Sequence, residues 1–328
     1  HFITWPPTRF MTHILVTVAL LAAAVTAEAQ PYPTQPIRLI VPYAPGGGTD
    51  AVVRPFFPSL IQSLGTQFIM DNRGGGGTTI GAGIAARAAA DGYTLLVCGI
   101  ASHAISPQIT RASYDPFKDF EPITLLATSS TVLFTHNNFA FASLAELVEA
   151  AKANPGKFSY ASSGAGTPPH LSTEIFMSMS NIKLLHVPYK GAGDSMSDMI
   201  AGRVDLKFGS TPEAIPPVKA GRLKAIAISR DTRWPDLPNV PTFAESGWPQ
   251  YKTGTWYGLC APAKTPKAII DRIYSATRDA LASSDLRERL RLLGTNPGGS
   301  SPPEFAAFIR SEYETYGKVI KALNLRAD

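Results

Sequence analysis

Short apolar segments alternate with amphipathic segments along most of this chain. The apolar segments are mostly bounded by Gly, Pro, Asn or Asp, which is typical of β-strands. Candidate strands are residues 37–41, 67–70, 93–98, 123–126, 132–135, 158–161, 184–187, 204–208, 223–228 and 255–259. Because such strands alternate with helical segments, the pattern predicts an α/β fold with mostly parallel sheets.

Three of the predicted helices have recognisable first turns. Ser143 with Glu146, and Ser301 with Glu304, have the spacing of a capping box, in which each side chain bonds the backbone of the other. A third helix is predicted to begin with Thr265 as its cap, followed by a proline in the first turn.

Five predicted strands end in short turns rich in glycine, serine and threonine that lead into helices. These turns read "VPYAPGGGTD" (41–50), "DNRGGGGTTIGA" (71–82), "SYASSGAGTPPHL" (159–171), "VPYKGAGDSM" (187–196) and "FGSTPEAIP" (208–216). One such turn is equally consistent with a plain strand-to-helix connection. Five at the carboxyl ends of strands, where α/β sheets bind ligands, predict a crevice lined with N–H groups that suit an anion.

Length and composition are those of a globular protein. The 328 residues suffice for two ordinary domains, and the content is 45% hydrophobic and 17% charged. The net charge of +5 is scattered, with no basic run and no zinc-finger, helix-turn-helix or RNA-binding pattern, so no nucleic-acid partner is expected. The mild positive balance is weakly favourable for an anionic ligand.

The N-terminal part predicts export. An apolar run from Ile14 to Val25 is too short to span a membrane comfortably, and it is followed by Ala27-Glu28-Ala29, an A-x-A cleavage pattern. We interpret it as a secretory signal peptide that starts at Met11 and is cut after Ala29, with residues 1–10 upstream of the true start. The mature protein is therefore expected to begin at Gln30.

A series of motifs resembles one known family. The stretches "YPTQPIRLIVPYAPGGGTD", "NRGGGGTTIGA", "DGYTLLV", "YDPFKDFEPITLLA", "NPGKFSYASSGAGTPPHL", "HVPYKGAGDSMSDMIAGRVDL" and "KAGRLKAIAIS" occur in this order. Together they resemble the tripartite tricarboxylate transporter receptors, also called Bug or TctC-like solute receptors, from about Tyr32 to the C-terminal helix. The resemblance implies a periplasmic receptor of a Gram-negative cell, expected to be a monomer without a cofactor, that delivers an organic acid to a membrane permease.

The resemblance also implies a domain division and a ligand class. The fold would be a type II periplasmic binding protein with two lobes, each a mixed, mostly parallel sheet flanked by helices. Lobe one would comprise residues 30–128 plus 253–328 and lobe two residues 129–252, with crossings near 127–131 and 251–256. Ligands of the family include di- and tricarboxylates, amino acids and aromatic carboxylates, bound between lobes that close by a hinge.

One helix departs from the family pattern. The helix after the first glycine turn usually lacks prolines in such receptors, whereas here Pro55 and Pro58 fall inside it. Proline in a helix removes a hydrogen bond and clashes with the preceding turn, at a cost of about 3 kcal/mol. The helix is therefore expected to be kinked or to start late.

Ligand-binding candidates follow from the turns and the family. In lobe one they are Tyr43, Gly46, Gly47, Gly48, Thr49, Thr78 and Ser102; in lobe two they are Ser162, Ser163, Gly164, Thr167, Tyr189, Gly191, Gly209 and Ser210. Asp50 is interpreted as a helix-start residue, because a carboxylate would repel an anionic ligand. Asn72 and Arg73 are expected to brace the second turn, and His170 to be structural.

Enzyme signatures are weak. The sequence has no G-x-S-x-G elbow, and its histidines and cysteines lack metal-site spacing, so neither a catalytic nor a metal site is predicted. One alternative is an exported hydrolase using Ser163 with His170 or His186. Another is a receptor that passes its ligand signal to a membrane kinase, which the sequence does not separate from a transport receptor.

Cys98 and Cys260 are the two cysteines. In the family topology the strand at 93–98 runs toward the crevice and the strand at 255–260 runs away from it. Cys98 would then lie at the crevice end of its strand and Cys260 at the far end of its own. That offset would exceed the roughly 7 Å Cα limit for a disulfide, so two free thiols are expected despite export.

Overall fold

The structure is a computed structural model that describes residues 32–326. The expected signal peptide and its cleavage site after Ala29 lie outside the described residues. Residues 32–34 carry no helix or strand. None of the described helices combines the length and the apolar character needed to cross a bilayer.

The first part of the described chain contains four strands and four helices. They are β1 (Ile37–Val41), α1 (Gly48–Val53), α2 (Phe57–Leu64), β2 (Phe68–Asn72), α3 (Thr79–Ala86), β3 (Thr94–Gly99), α4 (Ser106–Ile109) and β4 (Phe120–His136). Single 3-10 turns precede α2 at Arg54–Phe56 and α3 at Gly76–Thr78, and a π-helical turn precedes α4 at Ala101–Ile105.

The remaining part contains six strands and seven helices. They are α5 (Leu144–Ala153), β5 (Ser159–Ser162), α6 (Pro168–Ser180), β6 (Leu185–Pro188), α7 (Ala192–Ile200), β7 (Leu206–Ser210), α8 (Thr211–Lys219), β8 (Leu223–Ile228), β9 (Gly254–Pro262), α9 (Lys267–Ala282), α10 (Ser284–Leu292), β10 (Thr295–Pro297) and α11 (Pro302–Ala322).

Two groups of strands meet at β4. In the first strand group, β1 pairs in parallel with β2 and β3, while β9 is antiparallel to β3 and β4, and β10 is antiparallel to β4. In the second strand group, β5 is parallel to β6 and β7, while β7 and β8 are antiparallel to β4. The predicted α/β fold with a mixed sheet flanked by helices is therefore confirmed. The strands are not mostly parallel as expected, because four of the nine pairings between these strands are parallel and five are antiparallel.

Strand β4 belongs to both groups. Its residues 120–130 pair with β9, and its residues 131–136 pair with β7 and β8. The sequence predicted two separate strands here, at 123–126 and 132–135, with a crossing near 127–131. The structure instead carries one continuous strand of 17 residues through that region. The stretch 127–130, which is polar apart from Ala127, stays extended because each of its residues faces a partner on β9, from Tyr257 to Gly254.

The proline-containing helix is interrupted. Helix α1 ends at Val53, a 3-10 turn contains Pro55, and α2 begins at Phe57 with Pro58 in its first turn. The expected break is thus present, and it follows from the missing N–H group and the steric bulk of each proline. The helix does not start late, since α1 begins directly after the glycine turn.

Capping signals predicted helix starts well. The Ser143–Glu146 capping box opens α5 and the Ser301–Glu304 capping box opens α11, as predicted. Helix α9 starts one residue later than predicted, because Pro266 rather than Thr265 occupies the cap position. The Thr265 hydroxyl donates to the Pro262 carbonyl instead.

Cys98 and Cys260 form a disulfide, so the expectation of two free thiols is wrong. In the antiparallel β3–β9 pair, Cys98 faces Gly258 and Cys260 faces Leu96, an offset of two residues that leaves the Cα atoms 5.9 Å apart. Residues two apart along a strand point to the same face, which brings both sulfurs together. The expectation failed because the ends of the two strands are not level: Gly99, the last residue of β3, faces Tyr257, three residues after the start of β9.

Candidate functional site

A cavity lies where the first and second strand groups meet. The space open to the centre of a water molecule is about 50 Å³, which holds several waters or a small organic group. Its lining comes from both groups: Tyr43, Gly47, Gly48, Thr49, Ser130, Thr131, Ser163, Pro168, Pro169, Ala192, Phe208, Gly209, Ser210, Glu213, Gly254, Thr255 and Tyr257.

Four helices begin at this cavity. Helix α1, from the first strand group, and helices α6, α7 and α8, from the second, all contribute residues of their caps or first turns to its lining. The first N–H groups of a helix have no partner inside the helix and carry its positive dipole end. Helix α6 differs from the others, because its first two residues are Pro168 and Pro169, which have no N–H group.

Asp50 fixes the first glycine turn. Its Oδ2 accepts from the backbone N–H of Gly46 at 2.9 Å, and its Oδ1 accepts from the Asn72 side-chain amide at 3.0 Å. The same Asn72 amide donates to the Tyr43 carbonyl at 3.1 Å. The Gly46 N–H is therefore already used inside the turn, whereas the turn as a whole is held in place beside the cavity. Asn72 thus braces the first turn, whereas the expectation was that it braces the second.

Glycines let the turns of the two strand groups touch. A β-carbon added to Gly47 would lie 2.9 Å from the Ala192 β-carbon, and one added to Gly48 would lie 2.7 Å from the Ser210 hydroxyl. A β-carbon on Gly191 would lie 2.5 Å from the Ala44 β-carbon. Such distances are too short for ordinary contacts, so a larger residue at any of these positions requires the opposing group to shift.

The hydrogen-bond donors among the side chains of the lining are hydroxyls and phenols. Burial raises the pKa of Tyr257 to about 12, although the Ser210 and Ser129 side chains beside it lower that pKa in part. Burial also raises the pKa of Tyr43. Both phenols are therefore neutral and able to donate at physiological pH. The lining residues include no Lys, Arg or His, so an anion in this cavity would be met by N–H and O–H donors.

Seven of the fifteen predicted ligand-binding residues line this cavity. They are Tyr43, Gly47, Gly48, Thr49, Ser163, Gly209 and Ser210. Ser102 lines a smaller neighbouring cavity, which shares four residues with the first: Tyr43, Thr49, Thr255 and Tyr257. The structure thus brings together candidates from both strand groups; that they contact a ligand stays a prediction.

The other predicted residues lie in the same turns but outside the lining. The Thr167 hydroxyl donates to the Gly164 carbonyl at 2.6 Å, and the Tyr189 hydroxyl donates to Asp198 at 2.8 Å. Gly191 packs on the first glycine turn, and the Gly46 N–H is held by Asp50, as described above. The two that remain are Ser162, which pairs with His186, and Thr78, whose buried hydroxyl has no hydrogen-bond partner among the described residues.

Sequence reasoning missed the strand residues of the lining. Ser130 and Thr131 lie on β4, and Gly254, Thr255 and Tyr257 lie on β9. The predicted crossings, near 127–131 and 251–256, were the feature that could have identified them. Glu213 was also missed, since it reads as an ordinary first-turn acid of α8.

The chain matches a known family over most of its length. The family described as "tripartite tricarboxylate transporter family receptor" matches residues 52–325. This chain belongs to that family. Among its relatives is the UPF0065 protein in the tcbD-tcbE intergenic region of Pseudomonas sp. (strain P51), 35% identical over 96% of this chain and 95% of the relative. Protein BugT of Bordetella pertussis is 32% identical over 96% of this chain and 97% of its own.

Solved structures of similar proteins agree with this assignment. A structure described as a periplasmic transporter superposes on this receptor with a TM-score of 0.88 and 38% identity, over 90% of this chain and 100% of that one. Rpa4515 of R. palustris with adipate superposes with a TM-score of 0.87 and 33% identity, over 90% of this chain and 99% of that one. MatC (Rpa3494) of Rhodopseudomonas palustris with bound malate superposes with a TM-score of 0.84 and 30% identity, over 88% of this chain and 100% of that one.

The histidines named in the hydrolase alternative have other partners in this receptor. The His170 ring accepts from the Gly166 N–H at 3.2 Å, and His186 Nε2 lies 2.7 Å from the hydroxyl of Ser162, not of Ser163. The two rings stack on each other with centroids 4.5 Å apart. These contacts favour the structural role expected for His170.

One cluster of described residues has metal-ligand atoms close together. Cys98, His103 and Cys260 lie within 4.8 Å of one another and are buried. Both sulfurs are engaged in the disulfide, which leaves the imidazole as the remaining ligand group. The arrangement is therefore a covalent crosslink packed against a histidine in the core of the first strand group.

Proposed function

We propose that this receptor is exported to the periplasm and binds a small organic carboxylate in the cavity between two lobes. Lobe one is residues 30–128 plus 253–328, and lobe two is residues 129–252. The signal peptide, cut after Ala29, directs the export. The receptor then presents its loaded form to the membrane permease of a tripartite tricarboxylate transporter. The protein is a monomer in this proposal.

The observation that carries the proposal is the donor-rich cavity itself. Helices from both strand groups begin there, and hydroxyls of Thr49, Thr131, Ser163 and Ser210 line it together with two neutral phenols. Hydrogen bonds from such donors to an ionised oxygen are about twice as strong as bonds between neutral groups. A carboxylate can thus be held without a cationic side chain in the lining, with waters bridging the remaining gaps.

Relatives with bound acids support this ligand class. Rpa4515 is described with adipate and MatC with malate, and both share this fold at 30% identity or more. The cavity here lies at the junction of the two strand groups, where a ligand touches both. The receptor in this proposal binds the acid without converting it. Closing the cleft removes water and strengthens each hydrogen bond to the acid.

A thermal-shift screen tests the proposal. The mature protein, starting at Gln30, is heated with mono-, di- and tricarboxylates and with the corresponding primary amides, which keep the shape of each acid but lack its charge. An acid present at a hundred times its dissociation constant adds about 2.7 kcal/mol to the free energy of unfolding, which raises the melting temperature measurably. The amides should give no shift.

Two results would contradict the proposal. One is that no carboxylate shifts the melting temperature; the other is that acids and amides shift it equally. Calorimetric titration of each hit then gives the stoichiometry, which is expected to be one ligand per chain. Intact-mass measurement of the exported protein tests the cleavage site, since a product that retains Met11 would not have been processed as proposed.

A further inference from the structure

Glu213 is one of the residues that line the cavity. It is the single acidic residue of that lining, and its side chain is 6% exposed. A buried acid beside a site proposed for an anion is unexpected, because like charges repel strongly where water is scarce. Either the acid serves only the fold, or it faces a part of the ligand that is not a carboxylate.

The cation that pairs with Glu213 lies behind it. Lys207 is fully buried, its ammonium contacts Glu213 Oε1, and it also donates to the Ser195 hydroxyl at 2.7 Å. Lys207 is not part of the cavity lining, whereas Glu213 is. Of this buried ion pair, only Glu213 is therefore a residue of the cavity wall.

The second oxygen of Glu213, Oε2, lies against Gly209. A β-carbon added to Gly209, itself a lining residue, would lie 2.8 Å from Oε2, so the glycine leaves room for this oxygen. Within the described part of the chain, Oε2 accepts no hydrogen bond. Glu213 also affects both phenols. Burial is the main cause of the raised pKa of Tyr43 and of Tyr257, and the negative charge of Glu213 adds a smaller contribution to each.

An ionised carboxylate accepts hydrogen bonds and donates none. A second ligand carboxylate at this position would face a like charge, whereas a hydroxyl or an ammonium would donate to Oε2. We propose that Glu213 selects, among ligands of equal length, a carboxylate whose far end carries a hydrogen-bond donor over a dicarboxylate. This inference rests on the proposed function and narrows its ligand class to hydroxy and amino acids.

Matched acids test the selection on the unmodified protein. Calorimetric titration at neutral pH compares succinate, 4-hydroxybutyrate, 4-aminobutyrate and butyrate, and then the six-carbon set of adipate, 6-hydroxyhexanoate, 6-aminohexanoate and hexanoate. In the length that fits, the hydroxy or amino acid is expected to bind at least about tenfold more tightly than the dicarboxylate. A dicarboxylate that binds more tightly than both donor-bearing acids overturns the inference.

The Glu213→Gln variant reverses the polarity of the wall. The ammonium of Lys207 orients the amide so that its oxygen accepts from Lys207, which leaves the NH₂ group at the position of Oε2. The affinity ratio of dicarboxylate to donor-bearing acid should then rise by about tenfold or more. An unchanged ratio in a folded variant overturns the inference. If this variant does not fold, the comparison of acids on the unmodified protein decides alone.

Glu174→Gln is the matched control. Glu174 is a partly buried acid outside the cavity lining that accepts from the Tyr160 hydroxyl at 2.9 Å, so its substitution should leave the ratio unchanged. The two proposals also fail in different ways. Tight dicarboxylate binding that a substitution at Gly47 weakens would refute the role of Glu213 and leave the proposed function intact, whereas no binding by any acid refutes both.

Discussion

Gly47 and Ala192 meet across the junction of the two strand groups, and a β-carbon on the glycine would lie 2.9 Å from the β-carbon of the alanine. Gly47 itself has an extended backbone, with φ −91° and ψ −178°, which any residue can adopt. A glycine is therefore required at position 47 because Ala192 lies so close, and not because of the backbone conformation there. A substitution here disturbs the contact between the turns without straining the turn.

We expect Gly47→Ala to weaken carboxylate binding by about tenfold, because the added methyl group keeps the two turns apart. Ala192→Gly removes the opposing β-carbon, so the double variant should recover most of the lost affinity. Calorimetric titration of the four proteins of this cycle measures the coupling. Additive losses of affinity in the double variant would show that the contact between Gly47 and Ala192 does not govern binding. Unchanged affinity in a Gly47→Val variant would show that the turn only connects its strand to its helix.

Tyr257→Phe should weaken binding of the same acid by about five- to tenfold, since it removes a neutral phenol donor from the lining of both cavities. Tyr114→Phe is the control: its hydroxyl donates to the Ser102 carbonyl at 2.6 Å and lies outside both linings. The control should lower the melting temperature but not the affinity. Equal affinity in Tyr257→Phe and the unmodified protein would exclude a direct contact.

The disulfide gives a simple chemical readout. Thiol titration of denatured, unreduced protein should detect no reactive thiol, because Cys98 and Cys260 are joined. Replacing both cysteines by alanine should lower the free energy of unfolding by about 2–5 kcal/mol, since the loop it closes is long. Two titrated thiols in the unreduced protein would mean that the crosslink does not form.

His103 should make the protein sensitive to acid. Burial lowers its pKa to about 3, and its Nε2 has no hydrogen-bond partner among the described residues. The unfolded chain binds this proton near pH 6.5 and the folded chain does not, so His103 stabilises the fold above that pH. As the pH falls from about 6.5 toward 3, it should cost about 1.4 kcal/mol per pH unit.

Urea unfolding at several pH values measures that slope. The His103→Gln variant should lose this part of the pH dependence, whatever its stability at neutral pH, while His136→Gln, in the second strand group, should retain it. A slope that is the same in His103→Gln and the unmodified protein would show that His103 binds its proton equally in the folded and the unfolded chain.

Local patterns predicted most of the strands, because these are short apolar segments bounded by Gly, Pro, Asn or Asp. The residues of β1 and β8 were predicted as the structure has them. The fused strand β4 was not, since Thr128, Ser129 and Ser130 resemble a loop and stay extended only through pairing with β9. Strand β10 was missed because it is three residues long and exists only as a partner of β4.

The candidate site was predictable where it consists of turns, and less so where it depends on register. Glycine runs identified Gly47 and Gly48 as residues beside the cavity, but their neighbours Ala192 and Ser210 come from distant turns. The role proposed for Glu213 depends on its ion pair with Lys207, and the buried position of Lys207 depends on the pairing of β7 with β4. The disulfide likewise depends on the β3–β9 register, which composition does not encode.

The disulfide also changes what a cut in the backbone would do. It joins residues 162 positions apart, and the whole second strand group lies between them. A protease that cleaves anywhere between residues 99 and 259 would therefore open the chain without releasing either piece. The first strand group is assembled from two distant stretches of sequence, and the disulfide joins these stretches covalently. The two fragments of a nicked receptor would therefore stay together until the disulfide is reduced.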